Sequence, residues 1–411
     1  MKKSFLAFVI TLLLSSLFTG ENIKFDTAYR AAVLKTEFGA LQEEQNKQAA
    51  ALVEQAGAYL LPQFSLKGGY SLQQSGSGSV DALTTALNLN QVLYNGGQLS
   101  SALEKLKALQ RVKGFQLAAA KLELYASVAG SFYAVLAAEK DRFNTETVIK
   151  QTKEMLAELE RRKAIGKTKY SEVLMAQVQL ASLEAELEGI TRNILSSREE
   201  FALLTGLPRD SVLEEENKAE LKIEGLEYYL LASKKRPNLA ALQAELDALN
   251  YESKVQASYG LPALSLNGNY YPYRTGSSSG INWDAGLTLN FRLFDWGSAG
   301  AGLQEAQSKE KESGLNLSLK KREAEKEVRT AYGSLQSLLL QIKKLELAVE
   351  LSEKNYLEQK KDYDFSLVTN LEVLQALNSL QSSKKALDRC RLEALKARAE
   401  LLAVCNLAEI N

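Results

Sequence analysis

Leu61-Pro62-Gln63-Phe64-Ser65-Leu66-Lys67-Gly68-Gly69-Tyr70 is answered, 200 positions on, by Leu261-Pro262-Ala263-Leu264-Ser265-Leu266-Asn267-Gly268-Asn269-Tyr270. The same offset pairs Leu87-Asn88-Leu89-Asn90 with Leu287-Thr288-Leu289-Asn290, and Glu172-Val173-Leu174-Met175-Ala176 with Glu372-Val373-Leu374-Gln375-Ala376, without a gap. Three matches on one offset mark a tandem duplication. From Gln63 to Gln73, Phe64, Leu66, Tyr70 and Leu72 alternate with polar or small residues, the period of a strand with one apolar face. A Gly/Ser-rich loop then leads to a second alternating run, so 63–94 is expected to be a β-hairpin. Its repeat is 263–294, with the second strand expected from Trp283 to Phe294.

Outward from the hairpins the period becomes helical. Long helices are expected over 98–163 and 170–204 and again over 298–362 and 370–407. They are preceded by helix at 23–59 and at 226–259, the latter interrupted near Pro237. All five prolines lie outside the four long helices, where a proline would remove a hydrogen bond and clash with the preceding turn. Leu180, Leu183, Leu187, Ile190 and Ile194 follow the spacing of a coiled-coil seam. A helix of some 65 residues is about 100 Å long, more than a globular domain can use. The chain therefore divides into a first repeat, 21–208, a charged connector, 209–225, and a second repeat, 226–411.

Lys plus Arg number 50 and Asp plus Glu number 50, with no histidine. That balance argues against a nucleic-acid partner, and the missing histidines remove the commonest general base and metal ligand. No nucleophile with a partner base, phosphate-binding glycine loop or Cys/His cluster is present, so no enzyme site, metal or cofactor is expected. Met1-Lys2-Lys3, the apolar run Phe5 to Leu14 and the small residues after it read as a secretory signal peptide over 1–20. Cys390 and Cys405 sit too far apart on one helix for a disulfide and are expected to be packing residues.

Four strands cannot close into a barrel, since about eight is the minimum. Symmetric copies that pool their strands avoid exposed edges. Polar residues on one sheet face with Leu, Phe, Tyr and Trp on the other are the pattern of a membrane barrel around water. The duplicated unit of Leu-Pro opening a hairpin, two long helices and the turns Gly166 to Leu174 and Ser366 to Leu374 resembles the TolC family of outer-membrane efflux proteins. That resemblance implies a mainly α fold with a small β part. In it a homotrimeric α-helical barrel continues a 12-stranded transmembrane β-barrel, four strands per chain. It implies an outer-membrane exit duct spanning into the periplasm and embedded in outer-membrane lipid. The duct would work passively with a periplasmic adaptor and an inner-membrane transporter, or in type I secretion. A non-conducting trimeric helical stalk is the alternative.

Carried over residue by residue, the resemblance assigns pore constriction and gating to Ser171, Glu172, Tyr363 and Glu372. A Tyr363 hydroxyl bonded to Glu172 would act as a latch. Adaptor docking falls to Ile165, Gly166 and Lys167 at one turn and to Phe365, Ser366 and Leu367 at the other, beside the basic residues Arg161, Arg162, Lys163, Lys167, Lys169, Lys360 and Lys361. Val368, Gln375 and Ser366 depart from the family's latch arginine, second acid and turn glycine. Glu172 and Glu372 have a plainer role open to them, as first-turn acids at helix N-termini.

Overall fold

The computed structural model describes residues 22–75, 78–215, 223–275, 280–365 and 367–408. The expected signal peptide at 1–20 lies outside them. The elements, in order, are α1 (Phe25–Lys35), α2 (Glu37–Ala58), β1 (Gln63–Ser75), β2 (Gly78–Tyr94), α3 (Gln98–Ala164) and α4 (Tyr170–Thr205). The second repeat supplies α5 (Leu226–Ser233), α6 (Pro237–Ser258), β3 (Ala263–Arg274), β4 (Trp283–Asn290), α7 (Ser298–Asp364) and α8 (Asn370–Val404). The offset of the sequence matches holds for whole elements: α2, α3 and α4 begin 200 residues before α6, α7 and α8. Compact packing cuts across the repeats. One unit gathers 1–39, 120–234 and 324–411, and the other gathers 40–119 and 235–323.

Two expected elements differ from those found. The helix expected over 23–59 breaks at Thr36, whose backbone is extended, φ −99° and ψ 155°. Its counterpart Arg236 is also extended, φ −60° and ψ 135°. There the following Pro237 announces the break by disfavouring helical backbone at the residue before it, whereas Glu37 carries no such signal. The strand expected to reach Phe294 stops at Asn290, because Asn290 pairs with Ala263, the first residue of β3, and the sheet offers nothing beyond.

The second unit holds the sheet, a single antiparallel layer in the order β1-β2-β3-β4. β2 pairs with β3 in the register Leu87↔Tyr270, Asn88↔Asn269 and Leu89↔Gly268, joining the two hairpins. The ladder slips between Thr85 and Leu87, opposite Pro272, which has no N–H to donate to it. Among the described residues, the apolar face of the sheet is left uncovered within the chain. Phe64 is 80% exposed and Leu289 68%, far more than an apolar strand residue of a self-contained domain would be.

The first unit has a true core. Phe25 of α1 meets Tyr125 edge-on at 5.0 Å, and Phe132 of α3 packs against both Phe25, at 5.9 Å, and Phe201 of α4, at 6.1 Å. Phe132 and Val128 are fully buried. The connector closes over this cluster: Ile23 N–H donates to Val212 O at 2.8 Å, and Glu214 N–H donates back to Ile23 O at 3.0 Å. The Asp141 carboxylate, buried on α3, accepts from Arg389 Nε of α8 at 2.9 Å. A buried charge needs such a partner. Cys390 and Cys405 are both buried and not joined in a disulfide, as a packing role requires.

Candidate functional site at the helix turns

The first turn links α3 to α4. Gly166 takes the left-handed conformation, φ +73°; its N–H donates to Lys163 O, and Lys167 N–H donates to Arg162 O, both at 2.9 Å. These are the two bonds of a Schellman cap, which satisfies carbonyls the ending helix leaves free. In the second turn Leu367 N–H donates to Asp362 O at 2.9 Å, the same five-residue step back. Ser366, assigned to docking, lies outside the described residues. Ile165, Phe365 and Leu367 stand out into solvent, 66%, 77% and 73% exposed. Lys167 is exposed beside them.

The two glutamates sit at the third helical position of α4 and α8, where acid stabilises a helix N-terminus. Glu372 Oε2 accepts from Thr369 N–H at 2.6 Å and from Thr369 Oγ1 at 2.9 Å. With the Thr369 hydroxyl also reaching back to the helix, this is a capping box. Those donated bonds, the backbone N–H first and then the hydroxyl, hold the Glu372 carboxyl below the usual glutamate range. Glu172 Oε2 instead accepts from Thr168 Oγ1 at 2.8 Å, because the α4 N-cap is Lys169, which has no side-chain oxygen to share. Ser171 is exposed one position earlier.

The latch differs from its expected form. Within the chain, Tyr363 and Glu172 form no hydrogen bond among the described residues. The Arg162 guanidinium lies 4.4 Å from the Tyr363 ring centre instead and also donates to Glu158 Oε1 from Nε at 3.0 Å. Burial pushes the Tyr363 hydroxyl up, opposed by the nearby Arg162 charge. The contact joins α3 to α7, and the Lys163 ammonium covers the Tyr170 ring at 3.9 Å. Glu158 pairs with both Arg161 and Arg162, so part of the basic cluster is neutralised locally. Sequence reasoning missed Thr369, although Thr369-x-x-Glu372 is itself a readable capping signature.

The polar face of the sheet is the second feature. Ser65 Oγ donates to Asn88 Oδ1 at 3.4 Å, Asn88 Nδ2 to Asn269 Oδ1 at 2.8 Å, and Asn269 Nδ2 to Asp284 Oδ1 at 2.8 Å. The Tyr271 hydroxyl completes the run on Asp284 Oδ2 at 2.7 Å. One hydrogen-bonded ladder thus crosses all four strands on one face, while Phe64, Leu66, Leu87, Leu89, Leu287 and Leu289 occupy the other. Water on the first face and an apolar medium on the second fit this division. Among the described residues no helix is long and apolar enough to cross a membrane.

The family model for outer membrane efflux proteins matches residues 40–207 and 229–407. The chain belongs to the outer membrane efflux protein family. This efflux protein is 27% identical over 176 residues to the alkaline protease secretion protein AprF of Pseudomonas aeruginosa, 42% of its own length but only 37% of that relative's. It is 23% identical over 383 residues to nodulation protein T of Rhizobium leguminosarum bv. trifolii, covering 88% of this chain and 79% of that one. Its fold superposes on the outer membrane protein VceC of Vibrio cholerae with a TM-score of 0.83 at 21% identity, over 93% of this chain and 95% of that one. Its family is thus one of outer-membrane proteins that serve efflux.

Proposed function

We propose that the protein is a passive exit duct, assembled from three copies whose twelve strands close one barrel and whose long helices line one tunnel. The observation that carries this reading is the sheet, whose apolar face is left exposed while a hydrogen-bonded ladder runs across the other. An energised inner-membrane transporter and a periplasmic adaptor would drive cargo through it, as in efflux or type I secretion. The similarity to a protease secretion protein supports the second cargo class, and the family supports the first. Ion conductance of the purified protein in a planar bilayer tests the reading. Stable unitary steps are expected. Silence from an intact oligomer whose 165–169 turn has been trimmed would instead favour a non-conducting stalk.

In this duct Glu172, Ser171, Tyr363 and Glu372 form the narrow end. Three copies of Glu372 on one ring favour cations and hinder closure. Glu372→Gln is expected to weaken block of the current by multivalent cations several-fold, and unchanged block would remove Glu372 from the constriction. Within one chain the Thr369 bonds lower the Glu372 pKa, so its charged form and the capping box are favoured to lower pH, while crowding of three copies in one ring acts in the opposite direction. Thr369→Val removes the hydroxyl bond and leaves the crowding, so it should move the midpoint of cation block upward in pH.

The exposed turns are the docking surface for the adaptor: Ile165, Gly166 and Lys167 at one and Phe365, Ser366 and Leu367 at the other, flanked by Arg161 and Arg162. Phe365→Asp is expected to weaken adaptor binding at least tenfold in a pull-down titration, since burying an unpaired carboxylate at an apolar contact costs more than about 1.4 kcal/mol. Conductance of the isolated duct should not change. Binding that survives both Phe365→Asp and charge reversal at Arg161 and Arg162 would place the adaptor elsewhere.

A further inference from the structure

In the first unit a groove of about 500 Å³ opens along α3, walled by α4 and α8. Its floor is Gly130, Ala134, Ala137 and Ala138, on the opposite side of α3 from the buried Val128 and Phe132. Local sequence makes this space: the counterparts one repeat later, Thr330, Ser334, Ser337 and Leu338, are all bulkier. Asp141, 6% exposed, closes one end. Arg389 donates to it from Nε at 2.9 Å and from Nη2 at 2.5 Å, and Nη1 takes no part in that bonding. Along the α8 wall the charges alternate. Arg389, Glu393 and Lys396 stand at i, i+4 and i+7, one face of the helix, and set cation, anion and cation over about 10 Å. Neighbours at such steps can neutralise one another, yet both cations are engaged elsewhere, Arg389 with Asp141 and Lys396 with Glu400 at 3.7 Å. Among the described residues Glu393 has no ion-pair partner. The Lys396 stem reaches over the floor, its Cε 3.9 Å from where a Gly130 Cβ would be. On the facing wall α4 supplies Asn193, Ser196 and Ser197, the positions that Glu393, Lys396 and Ala397 hold in the second repeat. One wall is charged and the other neutral, able both to donate and to accept.

We infer that this groove is a binding site for a short acidic peptide, one in which an ammonium group lies between two carboxylates. The ammonium meets the unpaired Glu393. One carboxylate takes the free Nη1 edge of Arg389 and the other takes Lys396, while the peptide amide bonds to Asn193 and Ser196 on the neutral wall. The volume is that of a small-molecule site, and the order of charges selects the ligand. A plain dianion would set a charge against Glu393, and a plain cation would meet two bases. Asp141 holds the guanidinium in place by a charge-assisted pair, so the cation at that end is fixed before anything binds. Every lining residue belongs to the first unit of one chain, so the inference goes beyond the duct reading and does not require it.

Titration calorimetry of the full-length, detergent-extracted protein with the dipeptide glutamyl-alanine tests this. Saturable binding is expected, with one site per chain. Acetylating the peptide removes its ammonium, and replacing it by alanyl-alanine removes its side-chain carboxylate. Each change should weaken binding at least about tenfold, the loss of one charge-assisted contact. Glu393→Gln should erase the difference between the free and acetylated peptides, and Lys396→Gln the difference between glutamyl-alanine and alanyl-alanine. Both side chains are exposed, and a general loss of fold would not remove one discrimination while keeping the other. Ala134→Leu, which fills the floor, should abolish binding. Arg391→Gln, whose partner is Glu346 on α7, should leave it intact. The inference is overturned by absent or non-saturable binding, by equal affinity for the acetylated peptide, or by affinity that survives Ala134→Leu. None of these results bears on conductance, so the duct reading stands or falls separately.

Discussion

Phe132→Ala is expected to destabilise the protein by about 3–5 kcal/mol, the cost of emptying a fully buried aromatic site, and to be among its most damaging single changes. Phe132 has no exposed surface and touches rings from α1, α3 and α4 at once. Each ring pair adds about 0.5–1.5 kcal/mol beyond area burial, and all are lost together. The connector, which hydrogen-bonds to the backbone beside Phe25, loses the surface it closes over. The check is the temperature at which the helical circular dichroism of the purified protein collapses, compared at one scan rate because large assemblies unfold irreversibly. A fall of a degree or less would mean that the core can close the gap.

Gly96→Val should be as severe for a different reason. Gly96 holds φ +66°, and a Cβ placed there would lie 2.8 Å from the Leu261 Cβ, an atom tied to the backbone, and 3.2 Å from the Ser258 Cβ; rotating the Leu261 methyl away, itself 2.9 Å off, would not relieve these. A β-branched residue meets both penalties, left-handed backbone and overlap, together worth more than about 2 kcal/mol. The position lies where β2 hands over to α3, so the hairpin and the helix lose their alignment together. In the second repeat the counterpart is Trp296, which already adopts φ +56° and is 90% exposed. Trp296→Ala should therefore fold normally. The yield of assembled protein in the outer-membrane fraction separates the two variants, and equal yields would contradict the steric account.

Much of this architecture was legible because it is written twice and written in periods. Strand alternation identified both hairpins, and the confinement of proline located the four long helices, since one proline in a helix interior would have broken the pattern. The break at Thr36 was not legible. Pro237 signals it in the second repeat, but in the first only tertiary packing enforces it, through Lys35 and Thr36 lying against Gly206. The end of β4 at Asn290 was hidden for a similar reason, since alternation continues through Phe291 and Leu293 while the partner strand has already ended. At the turns, residue identity located Glu372 but not its partner. The threonine hydroxyl that fixes each glutamate comes from Thr168 in one repeat and Thr369 in the other, one register step apart. Tyr363 stacks against Arg162 with the Glu172 charge also near it, and which of them it touches depends on rotation of the helices about their axes, which no local pattern encodes.

The pairing of β2 with β3 bears on how the molecule is made. Leu87 must find Tyr270, and Asp141 must find Arg389, so neither compact unit can form from the first repeat alone. Loop closure over such separations is slow. With the signal peptide expected over 1–20, a chain delivered N-terminus first would spend the whole of its delivery with hairpin edges and an apolar strand face uncovered. We expect it to require a protective holding factor in the periplasm until the last helix arrives. Pulse-labelled chains truncated after residue 208 should remain protease-sensitive there, and a protease-resistant first repeat would show that each half matures by itself.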